Sequence, residues 1–374
     1  MKIAIITDRI YPYYIGGYEY LLYHLVKGLS VNYNVNVFTS IPNNQWDKKQ
    51  DQIIKVSPGY KFVNKKNVHN VLDSVRYNLH LKNYTAELNN YDLVILSTIP
   101  YFLYGKLLKK ITTRRISIFY EAWYGYLKSF NPLKSWLIQH EIKTIVENSE
   151  KIIAISNSTA KSLIKNYGAK AVSRIPIGIS LSNGSFERKV KFDIGYIGRF
   201  SQTKHIEHII EAVSLLKEDF QNISVGLAGD GPFLPNIRKI ISQFDLEKNV
   251  QIIGRVNEDE KTEFLKSIFI FILPSEREGF SISTLEAMAN GAVPIVAKPA
   301  YEEVFGVSDF VIDGETGLYF PFGNIRKLAQ SVKILLTERM TYNSIQANAI
   351  KMSRNYSWDK IIKQYEKLIN EDFE

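Results

Sequence analysis

The chain has 374 residues, carries 47 Lys and Arg against 38 Asp and Glu for a formal net charge of +9, and contains no cysteine. That length exceeds one comfortable core and predicts two domains of ordinary size; disulfides and thiolate metal sites are excluded, and no apolar run reaches the roughly 20 residues needed to span a bilayer. Met1 to Asp8 reads as a strand rather than a leader, so a cytoplasmic protein is expected, and the sequons at Asn83, Asn157, Asn183, Asn222 and Asn355 then carry no expectation of glycosylation.

The charge is uneven. Residues 1–180 hold 24 Lys and Arg against 11 Asp and Glu, an excess of 13, which leaves residues 181–374 at −4. No recognised nucleic-acid module accompanies the basic half, so nucleic acid is not an expected partner. Much of the excess lies in Lys106, Lys109, Lys110, Arg114 and Arg115, beside Tyr101, Phe102, Leu103, Tyr104, Leu107 and Leu108. This reads as an amphipathic, aromatic and basic stretch suited to an anionic membrane surface, with Trp123 to Trp136 as a second aromatic region. A solvated helix face packed on its own sheet is the competing reading.

In chain order, apolar strands alternate with helical segments, the signature of parallel sheets joined by crossovers. Strands are predicted at Lys2–Thr7, Asn34–Thr39, Asp92–Ser97, Arg115–Tyr120 and Lys151–Ser156, with a helix over Tyr18–Leu29. A domain boundary falls near Ile175-Pro176-Ile177-Gly178, and the polar, aperiodic Ser180–Lys191 reads as a linker. Strands follow at Phe192–Gly198, Ile223–Ala228, Val250–Gly254, Ile268–Leu273 and Val293–Ala297. The tail from Ser357-Trp358 to Ile369 has apolar residues at helical spacing and is expected to pack back towards the first domain. The expectation is an α/β chain of two Rossmann-like, doubly wound parallel-sheet domains, 1–178 and 179–356, facing across a cleft, with a terminal helix in 357–374.

Candidate site residues lie where strands end. Glu278 and Glu286 bracket the passage from the strand Ile268–Leu273 through the Gly279 turn into a helix starting near Ser281. Free N–H groups at such a helix start suit a phosphate, and carboxylates suit sugar hydroxyls. Gly16-Gly17 opens a helix after the first strand, where backbone can approach a ligand closely. Arg199 follows Gly198 at the end of the first strand of the second domain, with Lys204 beyond it; two cations there can grip phosphate. Gly229-Asp230-Gly231-Pro232 and Gly254-Arg255-Val256 sit at neighbouring strand ends, placed to hold a nucleotide base. His205 and His208 are the one close helical histidine pair, at which no metal site is expected.

Gly16-Gly17, Gly198-Arg199-Phe200 with Lys204, Ala228-Gly229-Asp230-Gly231-Pro232, Leu273-Pro274-Ser275, Glu278-Gly279-Phe280 through Glu286-Ala287-Met288-Ala289, and Asp313-Gly314-Glu315-Thr316-Gly317 occur in that order. Together they resemble the retaining glycosyltransferases of family four, of GT-B architecture, over nearly the whole chain. The resemblance implies that Arg199 and Lys204 bind a donor diphosphate, Glu286 the ribose and Glu278 the transferred sugar. Backbone near Phe280 and Ser281 would complete the site, with Gly16, Gly17, Gly231, Arg255 and Val256 also on the donor. It implies a metal-independent transfer of a hexose-type sugar with retained configuration and no cofactor beyond the nucleotide-sugar. The acceptor, a glycan or lipid-linked hydroxyl, would bind the first domain, and the basic first half suggests work at a cytoplasmic membrane face. Two residues depart from the family pattern. Phe119-Tyr120-Glu121 stands where many members carry a sugar-contacting histidine, so Glu121 is a candidate replacement or a structural carboxylate. His205 replaces a common glycine. A non-catalytic nucleotide-sugar-binding relative is the competing function, and a GT-B epimerase is disfavoured by the motif set.

Overall fold

The computed structural model describes residues 1–14, 16–41, 54–58, 71–98, 104–121, 127, 131–181, 189–300 and 305–371. Tyr101, Phe102, Leu103, Trp123 and most of the expected linker lie outside these residues. The chain divides into two compact units, Met1–Gly178 with Trp358–Glu374, and Ile179–Ser357.

The first unit is built on β1 (Lys2–Ile6), β2 (Asn34–Ile41), β3 (Ile54–Pro58), β4 (Leu93–Thr98), β5 (Arg114–Phe119), β6 (Lys151–Ala154) and β7 (Val172–Arg174). They form one sheet in the order β3-β2-β1-β4-β5-β6-β7, with every pairing parallel. Ile3, Ala4, Ile5 and Ile6 are all fully buried, as expected for a central strand covered on both faces. The second unit pairs β8 (Phe192–Ile197), β9 (Val225–Ala228), β10 (Val250–Gly254), β11 (Ile268–Leu273), β12 (Val293–Lys298) and β13 (Leu318–Pro321). Its order is β10-β9-β8-β11-β12-β13, again all parallel. Strands β3, β7 and β13 extend the sheets beyond the ten strands legible in the sequence.

The basic stretch folds differently from a membrane-lying helix. Tyr104–Leu108 is a helix of only 5 residues, and Tyr104, Leu107 and Leu108 are buried in the first unit's own core. Arg114 and Arg115 open β5, with Arg115 Nη2 donating to Glu150 Oε1 at 2.8 Å and its Nη1 to the Ile111 carbonyl at 2.7 Å. Lys106, Lys109 and Lys110 remain exposed. The apolar side of this segment is therefore internal, because hydrophobic burial within the unit takes the same side chains that a bilayer would need.

The helix Trp358–Asn370 belongs to the first unit and packs on the helix Gly17–Leu29. The Trp358 indole stacks on His24 with 4.4 Å between ring centres and 7° between planes. Gly28 leaves room for Ile362, since a Cβ at Gly28 would lie 2.5 Å from Ile362 Cγ1. Asn32 Nδ2 donates to Glu366 Oε1 at 2.6 Å, and Tyr33 Oη to Asn370 Oδ1 at 3.0 Å. The Trp358→Ala variant should lose about 2–3 kcal/mol of stability through lost burial and stacking, read as a lowered denaturant midpoint; an unchanged midpoint would show that the helix does not hold the unit together.

Candidate active site

In the second sheet the order places β8 beside β11, and the chain leaves these strands towards opposite sides of the sheet. Such a switch point opens a crevice beyond the carboxyl ends of the strands. Lys204 ends the short 3-10 turn Gln202–Lys204 after β8, and Glu278 follows β11. Across this point Lys204 Nζ donates to Glu278 Oε1, with both side chains mostly covered at 29% and 15% exposure. Arg199, two residues after β8, stands exposed, and its guanidinium has no partner among the described residues. The structure thus brings together Lys204 and Glu278, which lie 74 positions apart in sequence.

The helix Ile282–Ala289 starts at the same edge. Its N-cap residue, Ser281, has φ 68 and makes no capping bond from its side chain, and no acidic residue lies in the first turn. Elsewhere in this unit Asn257 completes a capping box and Asn324 caps the helix Ile325–Thr337. The uncapped start leaves N–H groups and the positive end of the helix dipole available to an anion. Phe280 is buried against Phe310 at 5.2 Å, which fixes the backbone entering that turn.

Gly229 and Gly231 let the loops after β8 and β9 lie backbone to backbone. Phe200 N donates to Asp230 O at 2.9 Å and Gly198 N to Ala228 O at 3.1 Å. A Cβ at Gly229, where φ is 133, would come within 1.9 Å of Gly198 O, and one at Gly231 within 2.2 Å of Phe200 O. Arg255 is largely exposed, its Nε 3.1 Å from Asp230 Oδ2, and Val256 follows it at the end of β10.

Glu286 sits inside the helix at 8% exposure and pairs with Lys261, Nζ to Oε1 at 2.7 Å. Lys261 also reaches Glu258 at 2.8 Å. Burial pushes the Glu286 carboxyl up, and Lys261 only partly pulls it back. Burial opposes the Lys261 charge, yet Glu286 and Glu258 outweigh it and hold the ammonium above its usual range. Lys261 is the site residue that sequence reasoning missed. Ser275, 3% exposed with no partner for its hydroxyl among the described residues, is a second buried polar group near the end of β11.

The remaining candidates lie in the first unit. Gly16 is the N-cap of the helix Gly17–Leu29, and Glu121 is exposed two residues after β5. The loop before Gly16 is anchored by Asp8, fully buried at the end of β1, which accepts from Tyr18 Oη at 2.6 Å and Arg9 Nε at 2.9 Å. Arg9 also lies 3.3 Å from Glu19.

Two family models match consecutive parts of the sequence: residues 15–183 match Glycosyltransferase Family 4 and residues 181–352 match Glycosyl transferases group 1. The chain belongs to the group 1, family four glycosyltransferases. Among curated relatives, an uncharacterized glycosyltransferase of Methanocaldococcus jannaschii is 24% identical over 370 residues, covering 98% of both chains. The poly(glycerol-phosphate) alpha-glucosyltransferase of Bacillus subtilis is 29% identical over 184 residues, 49% of this chain but 26% of that longer protein. Sucrose-phosphate synthase from Thermosynechococcus elongatus superposes with a TM-score of 0.81 at 18% identity, covering 100% and 99% of the two chains. The Anabaena HepE protein in complex with UDP-glucose gives 0.74 at 16% identity, covering 99% and 100%. These likenesses establish the two-domain α/β GT-B fold for this glycosyltransferase.

Because burial raises the Glu286 carboxyl, it protonates at a higher pH than an ordinary glutamate of about 4.3. If its carboxylate accepts donor hydroxyls, nucleotide affinity should weaken as pH falls towards that raised value, measured by calorimetry from neutral to mildly acidic pH. Glu286→Gln should bind more weakly at neutral pH and lose this acid limb; an acid limb that persists in the variant would assign it to another group.

Proposed function

We propose that this glycosyltransferase moves a hexose-type sugar, with retained anomeric configuration, from a nucleotide-diphosphate sugar to a hydroxyl of a glycan or lipid-linked acceptor. The observation that carries the reading is the Lys204–Glu278 pair beside the uncapped start of the helix Ile282–Ala289. Cations and a helix dipole at one point meet the charge of a departing diphosphate, a role that divalent ions fill in other enzymes. In this reading Arg199 and Lys204 hold the diphosphate, and Glu278 both orients Lys204 and faces the transferred sugar. Glu286 accepts the ribose hydroxyls, while the loops at Gly231 and Arg255-Val256 border the base. The UDP-glucose bound by the structurally similar HepE supports a nucleotide-sugar donor. The acceptor hydroxyl attacks the anomeric carbon on the face from which the phosphate leaves, and the leaving phosphate oxygen takes its proton.

The acceptor reading rests on charge. The excess of 13 positive charges in residues 1–180 suits an acceptor that bears phosphate or lies at an anionic surface, and the B. subtilis relative is named for a poly(glycerol-phosphate) substrate. The first unit also presents Leu133, Trp136 and Leu137 at 67%, 60% and 48% exposure on one side of the helix Pro132–Glu147. With the exposed Lys106, Lys109 and Lys110, this stripe supports peripheral contact with a cytoplasmic membrane face.

A panel of UDP-, GDP- and ADP-sugars with a crude lipid extract, followed by nucleotide release and sugar incorporation, tests the activity. Turnover with one donor is expected, raised no more than about twofold by added Mg²⁺, and Lys204→Ala should lower it by on the order of 10²–10³. Donor binding with neither release nor incorporation would leave a non-catalytic, nucleotide-sugar-binding protein. For the surface, replacing Lys106, Lys109 and Lys110 with Glu should weaken sedimentation with anionic vesicles at low salt by at least about 100-fold, at roughly 1 kcal/mol per charge; unchanged sedimentation would refute the contact.

A further inference from the structure

Immediately after Lys204 the chain reads His205-Ile206-Glu207-His208, a stretch that the donor site does not use. Ligand atoms of His205, Glu207 and His208 all lie within 4.8 Å of one another. His205 Nδ1 is 3.0 Å from Glu207 Oε1, and the two imidazoles lie nearly parallel with ring centres 5.0 Å apart. Two further atoms of the cluster are buried without any hydrogen-bond partner among the described residues: His208 Nδ1 and Glu207 Oε2. A buried polar atom without a partner is costly, roughly 1–3 kcal/mol, and here the carboxylate oxygen and the imidazole nitrogen are both of metal-ligating type.

We propose that His205, Glu207 and His208 form a site for a divalent transition metal of the zinc class. Two imidazole nitrogens and one carboxylate, with a water as the fourth ligand, match the preferences of such an ion. Metal–ligand distances of about 2.0–2.2 Å place tetrahedral ligands about 3.3–3.5 Å apart, so ligand atoms that now lie within 4.8 Å of one another would draw together by side-chain rotation. Glu276 Oε2, 3.9 Å from His205 Nε2, brings a second negative charge to balance the ion. Phe322 packs on both rings, 4.9 Å from His205 and 5.5 Å from His208, and shields one side of the cluster. The ion would lie apart from the diphosphate and act on structure: it would fix the turn between Lys204 and the helix Glu207–Leu216. It thus differs from a metal that bridges phosphates, and it stands whether or not the donor reading does.

The test is Zn²⁺ titration calorimetry on the full chain after chelator treatment and desalting, with Co²⁺ absorption as a report on ligand field. Wild type is expected to bind one equivalent with micromolar or tighter affinity and to give a tetrahedral Co²⁺ spectrum. His208→Ala and Glu207→Gln should each weaken binding by at least about tenfold, while His140→Ala, an exposed histidine of the first unit, leaves it unchanged. The proposal is overturned if the folded His205→Gly/His208→Ala double variant, checked by circular dichroism, binds Zn²⁺ as tightly as wild type, or if His140→Ala weakens binding as much as His208→Ala.

Discussion

A parallel sheet in the order β10-β9-β8-β11-β12-β13 must send its chain to opposite faces on the two sides of the β8–β11 pair. The loops after these two strands diverge, and the gap between them is the one place on that edge where a ligand meets several loops at once. Everything argued for the second unit follows from this constraint. Lys204 arrives there because it follows β8, Glu278 because it follows β11, and the helix Ile282–Ala289 begins there because its turn leaves the same edge. Their charges are complementary before any ligand binds, so the site is held in shape by the Lys204–Glu278 contact.

A second ion pair, Lys261 with Glu286, ties the helix Glu258–Lys266 to the helix Ile282–Ala289. Its partners are more deeply covered, at 18% and 10% side-chain exposure, and removal of Lys261 would leave the Glu286 carboxylate buried without its cation. The glycine-mediated contacts between the loops after β8 and β9 serve the same end through the backbone. They hold the loop bearing Arg199 against the loop bearing Asp230, which in turn meets Arg255. Rigid elements place the cations, and electrostatic stabilisation of a leaving group depends on such prior placement.

The central strands were legible because burial on both faces writes continuous apolar runs such as Ile268–Leu273 and Lys2–Ile6. Strands β3, β7 and β13 are edge strands of 5, 3 and 4 residues, too short and mixed to write such a run. That Arg199, Lys204 and Glu278 follow strand ends, and that Glu286 lies in the next helix, was legible from the apolar runs and the glycine turns. Lys261 was not, because Glu258-Asp259-Glu260-Lys261 reads as a solvated helix face, and its partner Glu286 lies 25 residues on. Near Lys106 the sequence left a membrane-lying helix and a helix packed on its own sheet both open, because it shows that Tyr104, Leu107 and Leu108 are apolar but not that the unit's own core takes them.

The central claim is that nucleotide diphosphate binds at the carboxyl edge of the second sheet. Hydrogen–deuterium exchange of the full chain, with and without UDP, GDP or ADP, measures it directly. The account predicts that one nucleotide slows exchange in the segments 199–204, 229–231 and 278–286 together. Protection confined to other segments, with these three unchanged under a nucleotide that demonstrably binds, would contradict it.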